Sequence, residues 1–216
     1  VALAKGKLFG QVGIDMLAGP SEIVIVADDT ADPEWVAADL LAQAEHDPMA
    51  RSLLFTPSAS LITQVEAQVE QQIERLSRRE IARKSLQSNG AFVLTRDLDE
   101  SIALANSLAP EHLELQVTDP FRLLPLVRHA GAIFLGRHTP EVIGDYVAGP
   151  NHVLPTGGTA RFSSPLGVED FVKRSSIIHY SPKGLREAWP RVQQLTRVEG
   201  LEAHGEAARV RLAENR

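Results

Sequence analysis

The stretch Ile23 to Ala27, IVIVA, constrains the fold more than any other part of this 216-residue chain. Four β-branched residues in an unbroken apolar run, bounded by Gly19-Pro20 and Asp28-Asp29, read as a buried strand. A strand of this kind belongs to a mostly parallel sheet with helices on both faces.

The rest of the pattern agrees. Asp32-Pro33 supplies an N-cap and a proline at the first helical position, which starts a helix to about Asp47. Ser52 to Phe55 reads as a second strand. A helix follows from Ser58 to about Ser77, with Leu61, Ile62, Val65, Val69 and Ile73 on one face. Ala91 to Thr95, Leu113 to Val117 and Gly131 to Gly136 are predicted as further strands. Asp97 to Leu108 reads as a helix, and Asp119-Pro120 starts another. The alternation predicts an α/β, Rossmann-like, mostly parallel sheet over residues 1–166.

From residue 167 the pattern changes. A strand-like Ser175 to Ser181 leads to two predicted helices, Pro182 to about Arg197 and Glu199 to about Ala213. With few bulky apolar residues, 167–216 reads as an extended and helical arm that packs on a partner. Val1 opens the chain in mid-pattern without an initiator Met, so the expectation is a piece of something longer.

Composition narrows the chemistry. Net charge is -6 and no basic face is evident, which argues against general nucleic-acid binding. No apolar run approaches the roughly 20 residues that cross a bilayer, so no membrane role is expected. There is no cysteine, so any metal must take nitrogen and oxygen ligands, and a reducing cytoplasm fits.

Five polar constellations stand out. In DLLAQAEHDP, Asp39, Gln43 and His46 share one sector of a helical wheel, opposite Val36, Ala37, Leu40, Leu41 and Ala44. The pair Gln43 and His46 is either a solvated face or two ligands aimed at one point; Gln is a weak metal ligand. In LAPEHLEL, Glu111 and His112 enter a strand and offer two proton-transfer groups, or form an exposed polar turn.

The Gly/Pro-rich segment Gly144 to Gly167 is too long for a simple connector and holds Asp145, His152 and Arg161. Its Gly157-Gly158 pair frees backbone amides for close approach, yet no Walker or GxGxxG pattern is present. Near the C-terminus, VEGLEAHGE places Glu199 and His204 at a helical spacing of five, or on a solvated terminal helix. In DMLAGPSE, Ser21 sits in a Gly-Pro turn before the first strand, where it also suits a cap.

Together GIDMLAGPSEIVIVAD, DLLAQAEHDP, LAPEHLEL, GDYVAGPNHVLPTGGTARFSSPLGVEDF and LTRVEGLEAHGEAARVRL resemble histidinol dehydrogenase, in that family's order and across essentially the whole chain. The resemblance implies a zinc enzyme that oxidises L-histidinol to L-histidine through an aldehyde-level intermediate, with two NAD⁺ reduced in succession. It implies Gln43, His46, Asp145 and His204 as metal ligands, His204 coming from the other subunit of a homodimer by tail exchange. Glu111 and His112 match the catalytic pair: His112 takes the hydroxyl proton and Glu111 activates the hydrating water. Ser21, His152 and Glu199 match substrate-pocket positions, beside Gln43, His46, His112, Asp145 and His204.

The family chain is roughly twice this length, about two domains' worth. Its nicotinamide-binding portion, a Gly-rich segment and an asparagine, lies largely upstream of Val1, together with early strands of the sheet. The resemblance thus implies the C-terminal half of the enzyme. Two other functions are compatible with the residues. One is a non-catalytic zinc-binding or assembly module that needs a separate N-terminal chain. The other is a sugar-phosphate or nucleotide transferase that binds anions on the Gly157-Gly158 loop.

Overall fold

Residues 1–212 are described in a computed structural model of the chain. Strands β1 (Glu22–Ala27), β2 (Arg51–Thr56), β3 (Ala91–Leu94), β4 (His112–Gln116) and β5 (Ala132–Leu135) form one parallel sheet, ordered β3-β2-β1-β4-β5. This is the expected α/β, Rossmann-like arrangement, with the reversal of strand order falling between β1 and β4. Early strands expected upstream concern sequence outside this chain; the five present pair continuously from β3 to β5.

Helices α2 (Pro33–Ala44), α3 (Ala59–Ile73) and α4 (Arg79–Asn89) cover one face, over Ile23, Ile25 and Leu54. On the other face α5 (Leu98–Leu108) and α6 (Pro120–Leu123) pack on Val24, Val26, Leu113 and Leu115. All six residues of β1 are buried, as its unbroken apolar run requires. Capping follows the sequence: the carboxylate of Asp32 accepts from the backbone N–H of Glu34, and Asp97 from that of Glu100.

Several boundaries move. Helix α2 stops at Ala44, so His46 lies in the turn beyond it rather than on it, and α3 stops at Ile73 instead of Ser77. Helix α4 was not predicted, because RREIARKSLQSN carries only Ile81, Ala82 and Leu86 as an apolar stripe. A short N-terminal helix, α1 (Ala2–Leu8), has no buried residue. The Gly/Pro-rich segment opens inside α7 (Glu141–Tyr146), which places Asp145 on a helix.

The chain divides into two compact units, Val1–Val172 and Lys173–Arg216. In the second, α8 (Pro182–Glu199) and α9 (Glu202–Leu212) pack against each other. Gly200 turns the chain at φ 69°, and a Cβ on Gly205 would meet Thr196 Oγ1 at 2.8 Å. Glu199 and His204 are therefore on different helices, not at helical spacing on one. Ser175 to Ser181 forms no strand, since its own unit offers no strand to pair with. Ala213, the predicted end of the last helix, lies outside the described residues. No described helix is long and apolar enough to cross a membrane.

Candidate metal and catalytic centre

Strand β4, His112–Gln116 (HLELQ), alternates polar and apolar residues although all five are buried. Leu113 and Leu115 belong to the core under α5, so His112, Glu114 and Gln116 point to the α2 face. There they meet the polar sector of α2: the side-chain amide of Gln116 donates to Asp39 Oδ2 at 2.7 Å. Four residues along α2 advance about 6 Å, and two residues back along β4 cover about the same distance. This carries Gln43 toward the amino half of β4, where His112 begins the strand. The water-facing alternative for Gln43 is thereby overturned: it is 0 % exposed, and neither its Oε1 nor its Nε2 has a hydrogen-bond partner. His46 is exposed, but Arg78 fixes its turn by donating to the carbonyls of Glu45 at 2.7 Å and His46 at 3.1 Å.

Glu111 and His112 are both buried, so the exposed-turn alternative fails for them as well. Their geometry is set by one residue. Glu22 donates its backbone N–H to Glu111 Oε2 at 3.0 Å, and its carbonyl oxygen lies 3.1 Å from His112 Nδ1. A carbonyl only accepts, so Nδ1 carries the hydrogen and Nε2 presents a lone pair. That atom lacks a hydrogen-bond partner and lies 3.5 Å from Glu141 Oε1. Burial holds His112 down to about 4, which keeps the imidazole neutral at physiological pH. Burial also pushes Glu111 up to about 8, with Glu22, Glu141 and Asp145 adding like-charge repulsion.

His112, Glu141 and Asp145 can each offer one ligand atom within 4.8 Å of the others. Glu141 was missed in the sequence. The available signal was its spacing of four from Asp145 behind Pro140, one helical turn. Burial and the neighbouring Asp145 push Glu141 up to about 7. A hydrophobic wall sits behind: Phe134 lies 6.0 Å from the His112 ring, and a Cβ on Gly144 would come within 2.7 Å of Phe134 Cε1.

Crowded carboxyls that resist ionising together, a bare imidazole nitrogen and an orphaned buried amide form a nitrogen and oxygen donor set that fits a divalent cation. An ion beside them would favour their ionised forms, and an unsatisfied buried amide ordinarily costs about 1–3 kcal/mol.

The Gly157-Gly158 loop has a different use from the anion cradle considered above. Gly157 donates its N–H to Glu22 Oε1 at 3.0 Å, and Gly19 donates to Thr156 Oγ1 at 2.5 Å. The Gly157 amide faces a carboxylate of the protein itself, which removes the ground for a phosphate-binding transferase. Arg161 is likewise engaged, donating to the carbonyls of Gly158 and Ser107. His152 is exposed and lines a cavity of about 330 Å³ together with Asp145, Phe134 and Ile143. Ser21 is partly buried in the segment that Gly19 and Glu22 clasp to the loop. Glu199 and His204 lie in the second unit, and both are exposed.

The site stands at the amino ends of β1 and β4, not in the crevice at their carboxyl ends where open α/β sheets usually bind ligands. There Asp28 closes the gap by accepting from the N–H of Thr118 at 2.8 Å and of Thr30 at 3.0 Å.

The histidinol dehydrogenase family model matches residues 1–212. Among similar proteins, histidinol dehydrogenase of Wolinella succinogenes is 57 % identical over 212 residues, covering 98 % of this chain and 49 % of its own. That of Aquifex aeolicus is 53 % identical over 211 residues, covering 98 % and 50 %. The crystal structure of histidinol dehydrogenase from Elizabethkingia anophelis superposes with a TM-score of 0.90 at 39 % identity, over 98 % of this chain and 49 % of that one. The chain spans about half the length of the relatives it matches, and it belongs to the histidinol dehydrogenase family.

Proposed function

We propose that this chain carries the zinc and substrate groups of an NAD-linked, cytoplasmic enzyme that oxidises L-histidinol to L-histidine, the nicotinamide-binding groups lying in sequence upstream of Val1. The observation that supports it most directly is the neutral, one-sided imidazole of His112 beside Glu111, Glu141 and Asp145. Gln43, His46 and Asp145 are the ligands on this unit. His204 is the fourth, delivered from a second copy of the chain. A bound zinc ion supplies a fixed point that orients the substrate and holds its reacting carbon in place.

The chain's own residues do the rest. His112 Nε2 accepts the hydroxyl proton of the alcohol, and NAD⁺ would supply the hydride acceptor that oxidation to the aldehyde needs. Glu111, once ionised, takes a proton from the water that hydrates the aldehyde, and a second NAD⁺ would be needed to accept the hydride as the hydrate loses a proton and becomes the carboxylate. Ser21 and His152, with Glu199 from the partner copy, hold the substrate's polar ends. Tail exchange is supported by the bare apolar residues of the second unit, with Ile177 at 96 % and Val198 at 81 % exposure.

The test is to supply histidinol, NAD⁺ and zinc and follow NADH absorbance, with and without a polypeptide carrying the upstream half. Turnover only with that half supports the reading. A protein that binds zinc but never turns over, even when reconstituted, favours the assembly-module alternative.

A further inference from the structure

Glu114 takes no part in the proton transfers above, yet it is 1 % exposed and fully engaged. Its Oε1 accepts from the N–H of Glu141, the first residue of α7, at 2.8 Å. Its Oε2 accepts at 2.8 Å from the Gln116 amide, which also donates to Asp39 on α2. Burial drives Glu114 well above the usual carboxylate range. Apolar side chains would fill this layer without the cost of burying carboxyls. What polar groups add is direction: each bond fixes one element against another.

The two ties are placed alike. Glu141 precedes Asp145 by four residues, and Asp39 precedes Gln43 by four. Each tie therefore clamps a helix one turn before a proposed ligand, and both lead to the strand that carries His112. We propose that Glu114 is a positioning residue for the metal centre, which sets α7 and α2 in register on β4 so that Asp145 and Gln43 converge. The inference rests on the zinc-centred reading above.

The test measures zinc affinity of the native protein by competition with a chromogenic chelator, beside thermal unfolding. Glu114→Ala, which cuts the α7 tie and leaves the Gln116–Asp39 bond without its Glu114 anchor, is expected to weaken zinc by about tenfold or more. Glu114→Gln keeps the acceptor for the Glu141 N–H, giving up one bond from Gln116, and is expected to stay near wild type. Gln116→Met severs the α2 tie alone and gives a smaller loss; it carries the test if Glu114→Ala fails to fold. Ser101→Ala, which removes a buried hydroxyl bonded to Thr95 at 2.8 Å, controls for loss of stability alone and should leave zinc unchanged. Wild-type zinc affinity in folded Glu114→Ala or Gln116→Met overturns the inference, as does loss in Glu114→Gln as deep as in Glu114→Ala. A wild-type protein that holds no zinc overturns the functional reading instead.

Discussion

The carbonyl oxygen of Glu22 lies 3.1 Å from His112 Nδ1, and this single bond decides which ring nitrogen is free for chemistry. The ring has one working atom, Nε2, so it serves either as base or as ligand. On the proposed roles, His112→Gln lowers the turnover of histidinol by about 10²- to 10⁴-fold while zinc content stays stoichiometric. Asp145→Asn loses zinc first. Metal analysis beside steady-state rates checks both; a zinc-free His112→Gln protein would assign that nitrogen to the metal.

Gln43 gives a prediction with two opposite signs. With two unpartnered atoms in the core, Gln43→Met relieves an unmet polar demand and stabilises the metal-free protein by about 1–3 kcal/mol. The same change weakens zinc binding. Urea unfolding with and without zinc reads both effects, and destabilisation of the metal-free form would mean that the amide has some other partner.

The pH dependence of the metal-free protein follows from the carboxyls. Asp39 near 6, Glu141 near 7 and Glu111 near 8 keep protons in the folded state that the unfolded chain gives up at ordinary carboxylate values. Folding is thus favoured at low pH, and this contribution is lost as pH rises through those values. His112 acts oppositely: held near 4, it loses stability as pH falls below its unfolded value of 6.5. The raised carboxyls outweigh the one depressed imidazole, so the unfolding midpoint in urea should fall between pH 6 and pH 8. Glu111→Gln flattens the upper part of that decline, and an unchanged slope would remove Glu111 as its source.

Gly144 is required by Phe134. Gly144→Ala pushes α7 off β5 and destabilises the protein by about 1–3 kcal/mol. Phe134→Leu in the same chain recovers part of the loss in a thermal melt if the ring is the obstacle.

The crossing tail is checked by complementation. Mixed dimers of Asp145→Ala and His204→Ala chains contain one intact site and one doubly altered site if His204 crosses between copies. Random mixing of two inactive proteins then restores about a quarter of full activity. If His204 serves its own chain, mixing restores nothing.

Most strands were legible because each is a short apolar run between turn residues, β4 because it alternates polar and apolar residues, and IVIVA admits little else. Helix α4 was not, since it packs through Ala82 and Ser85 and fastens loops by side-chain bonds: Ser85 to the Ala50 carbonyl, Asn89 to that of Pro48. Such bonds leave no periodic trace. At the site, Gln43 misled for a related reason. A wheel separates polar from apolar arcs and equates polar with solvent, but α2 lies against the core on one arc and the polar row of β4 on the other. Glu22 and Glu114 were invisible because their importance is tertiary, each meeting a residue at least 27 positions away, and Glu141 left only its one-turn spacing from Asp145. Glu111, His112 and Asp145 stood out as polar residues at a strand entry and in a long Gly/Pro segment, but only the family resemblance of the surrounding words turned them from candidates into expected site residues.

The Asp28 clasp leaves the two ends of the sheet with different duties. One end holds Glu111, His112, Glu141 and Asp145; the other is closed by short turns and caps at Asp28, Asp32, Ser58, Asp97 and Asp119. Labels, affinity handles or lengthened turns therefore belong at that second end, where an engineer can rebuild the surface without disturbing a single reacting group.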